Sequence, residues 1–293
     1  MKRIFISILL SLYLFGCSGK YIGNYKNDKR HGNGTMIYTN GDKYAGNWDQ
    51  GERSGLGVYY YKDGRILKGN WKNGKIHGRA RCIYPDGRAL EGIWENGKRY
   101  GGVKMSYFNG DVYVGEWADE MRNGKGIYTY SKSSKWAGAK YDGNWLDDKM
   151  DGEGIYYFAN GDIYSGQWKN NVQNGYGIMI YSNKRKYTGE WKNNMRHGHG
   201  ILIYLDGKRY EGNWINNKKY MHGAYYFSIK SNNGDGSIKL IWDKILGAKI
   251  YYIYKLSPIS GKYKEITSTS KISFIDKEID PNKDYNYLIQ TDP

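Results

Sequence analysis

The chain has little of what staples a fold or thickens its core: two cysteines, four prolines and six phenylalanines in 293 residues. With Cys17 and Cys82 alone, at most one internal disulfide can form, which excludes the disulfide framework of a small secreted scaffold. Phenylalanine is scarce but tyrosine is not. There are 32 Tyr and 10 Trp, so burial has to rely on rings that keep a polar tip, which suits a thin, half-wetted sheet better than a thick core. Histidines number five. No Ser-His-Asp set, paired-carboxylate cleft or Cys-His pair stands out, so neither catalysis nor a cofactor is expected.

What the chain has is glycine in register. Glycines 23, 46, 69, 92 and 115 are 23 residues apart, as are glycines 143, 166, 189 and 212, with a five-residue insertion between the two series. From the second copy the unit reads Tyr44-x-Gly46-x-Trp48, six residues, Gly55-x-Gly57, three residues, Tyr61, two residues, Gly64. Further copies begin at Tyr21, Leu67, Leu90, Tyr113, Tyr141, Tyr164, Tyr187 and Tyr210. Repetition at this period is the mark of stacked supersecondary units. Short segments alternating with period two are joined by Asn40-Gly41, Asp63-Gly64, Asp86-Gly87, Asn109-Gly110, Asn160-Gly161 or Asp206-Gly207. Such pairs predict hairpins with type I′ turns, both central residues at positive φ. Tyr44, Gly46 and Trp48 share parity, so the rings are expected on one face as a ladder, with Gly46 leaving room for a neighbouring ring.

Tyr-x-Gly-x-Trp followed by Gly-x-Gly resembles the MORN (membrane occupation and recognition nexus) repeat over residues 21–227, in nine copies. The resemblance implies an all-β fold: an elongated, twisted, single-layer antiparallel sheet of nine 23-residue β-hairpins. It also implies a binding or assembly role, often near membranes. Copies three and four depart from the pattern, with Leu67 and Leu90 for Tyr and Ala80 and Val103 for the second Gly. Tyr25 stands for Trp in the first copy and Met221 for a Gly in the last, where end caps are expected to differ.

Ahead of the repeats, Met1-Lys2-Arg3, the apolar run Ile4 to Phe15, and Gly16-Cys17-Ser18 have the order of a secretory signal, with a run short for a bilayer span. Leu14-Phe15-Gly16-Cys17 resembles a lipobox, which implies a signal peptide over 1–16, a lipid on Cys17 and an anchor or linker over 17–20. The alternative is an uncleaved anchor. Either places the protein at a membrane, exported and held at the cell membrane or an outer membrane. Cys82 would then have no partner for a disulfide. The formal charge, +16 less the two cations of the signal, points for an exported chain toward anionic lipid or cell-wall polymers, with no nucleic acid.

After Phe227 the period fails. Five strand-like segments, 238–242, 248–254, 263–266, 272–275 and 285–289, follow at sandwich spacing. They resemble a fibronectin type III domain over 228–293, with Leu240-x-Trp242 as a core pair and Ile279-x-Pro281-x3-Tyr285 as a tyrosine corner. The first strand of this small sandwich would come from Tyr225 to Ser231. Its last strand is missing, so the sandwich is either cut short or has its open edge covered by the last repeats.

Two features bear on binding. Six and seven residues after the strand Gly stand Lys29-Arg30, Arg53, Lys75, Lys98-Arg99, Arg122, Lys149, Arg196 and Lys218-Lys219, a cation in eight of nine copies. Stacked hairpins would align these into a ridge with steps of roughly 10 Å, two strand spacings. Such a ridge could lie on anionic lipid or glycan, or be no more than a solvated row of loops. The insertion, Ser131 to Lys140, carries Trp136, either a contact point or a ring folded back on the sheet. His31, His77, His197, His199 and His222 recur at repeat positions as turn residues, and no metal site is expected. The expected function is a lipid-anchored, non-catalytic scaffold presenting the repeats to a protein partner. The alternative is direct binding of anionic phospholipid or cell-wall glycan by the ridge.

Overall fold

A computed structural model describes residues 19–230, 236–280 and 283–291. The expected signal segment and Cys17 lie outside the described residues. The described chain is all-β, without a helix, and divides into two compact units, up to Phe108 and from Asn109 on.

The first unit is an antiparallel meander of β1 (Lys20–Lys26), β2 (Lys29–Ile37), β3 (Lys43–Asp49), β4 (Glu52–Tyr60), β5 (Ile66–Lys72), β6 (Lys75–Ile83), β7 (Ala89–Glu95) and β8 (Lys98–Ser106), each paired with the next. The second continues the pattern with β9 (Val112–Ala118), β10 (Met121–Thr129), β11 (Lys140–Leu146), β12 (Lys149–Tyr157), β13 (Ile163–Lys169), β14 (Val172–Ile180), β15 (Lys186–Lys192), β16 (Met195–Ile203), β17 (Arg209–Ile215) and β18 (Lys218–Lys230). Copies one to four therefore form hairpins in the first unit and copies five to nine in the second.

The turns differ from the sequence expectation. The type I′ turns lie inside the copies, at pairs such as Asn27-Asp28, Gln50-Gly51, Asn73-Gly74, Asp147-Asp148, Asn170-Asn171 and Asn216-Asn217, with both residues at positive φ. At the Asn-Gly and Asp-Gly connections only the glycine has positive φ. Gly41 N–H donates to Tyr38 O at 3.1 Å and Tyr38 N–H to Asp42 O at 2.9 Å, a type I turn followed by a left-handed residue. The dipeptide signal located the turns but not their kind, because Asn suits either.

The two glycines of Gly-x-Gly have separate reasons. Gly55 sits at φ +59 in the bulge that shifts the β3–β4 register between Gly46 and Trp48, a backbone that side chains rarely adopt. Gly57 lies under the ring of Tyr44, the copy's own tyrosine rather than a neighbour's, so a Cβ would come within 2.6 Å of Tyr44 Cε2. In copies three and four the narrower Leu67 and Leu90 stand opposite Cys82 and Met105, and Ala80 and Val103 then fit where glycine is otherwise needed.

The rings alternate edge to face along the sheet. Tyr44 meets Trp48 and Trp71 at 5.2 Å each, and Tyr164 and Tyr187 repeat this with Trp168, Trp191 and Trp214. Such contacts add about 0.5–1.5 kcal/mol each beyond burial. Each tyrosine hydroxyl also donates within its copy, as Tyr44 does to Asn47 O at 3.0 Å, and the indoles of Trp48, Trp71, Trp145, Trp168, Trp191 and Trp214 reach back to the previous copy, as Trp48 Nε1 does to Gly34 O at 3.1 Å, whereas Trp117 Nε1 has no partner. Cys82 is buried on this face and in no disulfide.

All five tail segments form strands: β19 (Ile238–Ile241), β20 (Tyr251–Leu256), β21 (Tyr263–Thr269), β22 (Ser273–Asp276) and β23 (Asp284–Thr291). β18 pairs through its second half with β23, which pairs with β20, which pairs with β21. β19 and β22 make a separate two-stranded sheet. The boundary expected at residue 227 thus falls inside a strand shared by the last repeat and the tail. That strand covers the open edge of β23 rather than opening a sandwich of its own. Leu240 and Trp242 are buried with Tyr251, Ile253, Tyr287 and Ile289. The Tyr285 hydroxyl accepts the Asp280 N–H at 2.7 Å.

Candidate functional site

The expected ridge mixes two adjacent positions whose side chains leave the strand on opposite sides. Arg30, Arg53, Arg99, Arg122, Arg196 and Lys219 stand opposite the aromatic residue of their own hairpin, as Arg53 does opposite Trp48. They share the aromatic face. Arg30, Arg53, Arg122 and Arg196 fold over the indoles of the next copy, Trp48, Trp71, Trp145 and Trp214, at 4.1–4.4 Å from the ring centres. Each also donates to a carbonyl in that copy's turn: Gly51, Gly74, Asp148 and Asn217. These arginines clamp hairpin to hairpin, and cation–π contact with charge-assisted hydrogen bonds accounts for it. Lys29, Lys75, Lys98, Lys149 and Lys218 are exposed, so the residues given to one ridge occupy two environments.

Copies six and seven place Met150 and Gln173 where the clamp should be, opposite Trp145 and Trp168. With no guanidinium there, a groove of about 880 Å³ opens in the second unit. Its floor includes Tyr156, Trp168, Met179 and Trp191, its walls include Tyr130, Phe158 and Tyr181, and Arg196 stands at its margin. Trp136 of the insertion also lines it and stays 54% exposed, so this ring is both folded back and open to contact.

The polar groups of the groove are arranged by the fold. Asn171, Asn194 and Asn217 are the second residues of successive turns, and their Oδ1 atoms accept the N–H of Met150, Gln173 and Arg196 at 2.8–2.9 Å. That fixes each amide with its NH₂ turned away from the backbone. The Gln173 side chain is only 4% exposed, and its amide makes no hydrogen bond within the protein. Asp162 is spent: Oδ1 accepts Ser182 N–H at 2.7 Å and Oδ2 accepts Asn160 Nδ2 at 3.1 Å. The sequence signal for this site was the absence of any cation in copy seven.

A second cavity of about 500 Å³ lies where the last repeats meet the tail, lined among others by Arg185, Arg196, Tyr204, Lys218, Lys219 and Asp243. Lys219, 8% exposed, donates to Tyr204, Tyr225 and Asp243. Burial pushes its ammonium down to about 8, against the pull of Asp243. The same pair, with the Tyr204 hydroxyl donating at 2.7 Å, holds the Asp243 carboxyl below its ordinary value in spite of desolvation. Among the described residues no group of three or more His, Cys, Asp or Glu could hold a metal ion, and no helix is long and apolar enough to cross a membrane.

Geometry and spacing define a repeat protein of consecutive aromatic hairpins. The chain belongs to the MORN repeat family, which matches residues 21–43, 44–64, 68–87, 113–135, 141–163, 164–184, 187–209 and 210–231. The hairpin beginning at Leu90, which has both Leu for Tyr and Val for Gly, is unmatched. No curated protein matches the chain. Among solved structures it is similar to the SAS-4 TCP domain of Drosophila melanogaster, in complex with a proline-rich motif of Ana2, at 15% identity and TM-score 0.34, covering 58% of this chain and 82% of that one. BamB from Moraxella catarrhalis, at 10% identity and TM-score 0.15, covers 64% and 82%. Virginiamycin B lyase from Staphylococcus aureus, at 10% identity and TM-score 0.15, covers 92% and 98%.

Proposed function

We propose that this MORN-repeat chain is an exported, lipid-anchored, non-catalytic binding scaffold, held to a membrane through Cys17, whose partner seats in the groove left open at Met150 and Gln173. The carrying observation is the lapse of the clamp at two consecutive copies while Arg122 and Arg196 keep it on either side. Copy three also lacks the arginine, with Ile76 opposite Trp71, but that lapse is single; two lapses in a row make a groove long enough for a partner segment. The tail, with its Tyr285 corner and buried Leu240 and Trp242, is a fibronectin type III-like module that uses β18 as an edge strand.

The experiment is photo-cross-linking in intact cells from Tyr181, in the groove wall, and from Tyr157, whose neighbour Tyr156 lines the groove floor, with mass spectrometry of the mature N-terminus beside a Cys17→Ala control. Adducts from position 181 but not 157, on a chain that begins at an acylated Cys17, are expected. Equal adducts from both positions would remove the groove, and a chain retaining Met1 in the cytosol would remove the anchor.

The alternative reading, an anionic surface bound by the basic positions, is supported by the exposed Lys29, Lys75, Lys98, Lys149 and Lys218. Near lipid each would add about 1 kcal/mol.

A further inference from the structure

Three properties of the groove specify its occupant, given that the groove is the binding site. Its floor and walls are aromatic faces and edges, which favour flat apolar ring surfaces. Its two charged groups, Asp162 and Arg196, are opposite in sign and each is already hydrogen-bonded within the protein, so the groove has no net charge and favours an uncharged occupant. Its spare hydrogen-bonding capacity lies in carboxamides that line it: the NH₂ groups of Asn171 and Asn194 and the amide of Gln173. The asparagines recur once per hairpin, about 10 Å apart.

We propose that the groove binds a neutral β-1,4-linked glycan strand, its sugar rings laid against the aromatic floor and Trp136 and its hydroxyls bonded by Asn171, Gln173 and Asn194. This rests on the groove reading above and names the ligand class. Pyranose rings joined in this way make a straight ribbon with C–H faces and hydroxyl edges, a flat and uncharged repeating shape. A peptide is the weaker match: the Trp168 and Trp191 indole N–H groups that would meet its carbonyls already donate to Gly154 and Gly177 at 3.2 Å.

The test is titration of the full chain with β-1,4-linked N-acetylglucosamine dimer and tetramer and with cellotetraose, read by tryptophan fluorescence. A saturable change is expected with at least one tetramer, at least tenfold tighter than with the dimer, because only the longer chain meets two asparagines. Met150→Arg with Gln173→Arg rebuilds the clamp, so binding should be lost with the unfolding midpoint kept or raised. Gln173→Leu, which keeps the groove open, should weaken binding about tenfold. No response to any of the sugars, or equal affinity in wild type and the double-arginine variant, overturns the proposal. A proline-rich peptide whose binding is lost in that variant, with the sugars silent, overturns the glycan while leaving the groove as a protein site. Failure of both ligand classes removes the groove reading itself.

Discussion

The backbone N–H of Leu246 donates to the carbonyl of Lys219 at 3.0 Å. Within the repeats that bond joins successive hairpins: Gly51 donates to Arg30, Gly74 to Arg53, Asn171 to Met150 and Asn217 to Arg196, all at 3.0–3.1 Å. Leu246 therefore stands where the turn of a further copy would be, and Tyr220 and Leu246 form a parallel bridge beside it. The tail caps the array by imitating the next repeat. Lys219, the last member of the clamp series, has no further indole to cover and turns to Asp243 instead.

The cap gives an ordered set of stabilities. Asp243→Ala leaves a buried ammonium without its carboxylate and should cost about 2 kcal/mol, below the cost for a fully buried pair because Asp243 is largely exposed. Lys219→Met should cost less than about 1 kcal/mol, since Met150 already occupies the equivalent position, and the double variant should recover most of the Asp243→Ala loss. Lys219 has its folded pKa depressed to about 8 from 10.5, so between those values the unfolded chain binds more protons and stability rises with pH. Urea midpoints measured across that window should show the rise in wild type and lose it in Lys219→Met.

Tyr44 over Gly57 is a coupled pair. Gly57→Ala drives a methyl into the ring and should cost about 1–3 kcal/mol as overpacking. Tyr44→Leu in the same chain reproduces what copy three does with Leu67 and Ala80, so the double variant should be more stable than the sum of the single losses by more than about 1 kcal/mol. Additive losses in a double-mutant cycle would show that the ring and the glycine are not matched.

The clamp and the exposed lysines separate under mutation. Arg53→Ala removes a stacked guanidinium and its bond to Gly74 O, for a loss of about 1–3 kcal/mol, and Arg53→Lys should restore little of it because the planar fork is gone. Lys75→Ala should move stability by less than about 0.5 kcal/mol. Equal effects at the two positions would dissolve the distinction between them.

Much of this was legible in the chain. The 23-residue spacing of glycines fixed the hairpins, the parity of Tyr44, Gly46 and Trp48 fixed the buried face, and alternation in the tail located five strands. Three things were not legible. Asn-Gly does not by itself distinguish a type I′ turn from a type I turn with a left-handed glycine, since each needs the glycine. Lys29 and Arg30 read as one cluster until the register set Arg30 opposite Tyr25. The groove is made by what copies six and seven lack, and a search for motifs passes over an absence.

Lys184 tests the turn assignment directly. It holds φ +65 where six aligned connections place glycines 41, 64, 87, 110, 161 and 207, and a side chain in that conformation costs about 1–2 kcal/mol. Lys184→Gly should therefore stabilise the chain by up to about 1 kcal/mol, the entropy of the added glycine offsetting part of the relief. A loss of stability in thermal unfolding would mean that the lysine side chain contributes more than its backbone costs.

The tyrosine ladder should make the fold fail cooperatively in alkali. Burial pushes the Tyr44 phenol up to about 12 and raises Tyr141, Tyr164, Tyr187 and Tyr210 as well, whereas phenols of an unfolded chain ionise near 10. A raised folded pKa means that the stabilisation is complete below about pH 10 and is lost as pH climbs toward the folded value. Each such ring removes about 1.4 kcal/mol per pH unit, so five together remove roughly 7 kcal/mol for each unit above 10. Tyrosinate absorbance at 295 nm should rise together with loss of the β-sheet circular dichroism, in one step between about pH 10 and 12. If instead the ladder rings ionised near pH 10 with the sheet signal intact, their hydroxyls would have to be reachable by water, and the close seating of each ring on its glycine would be wrong.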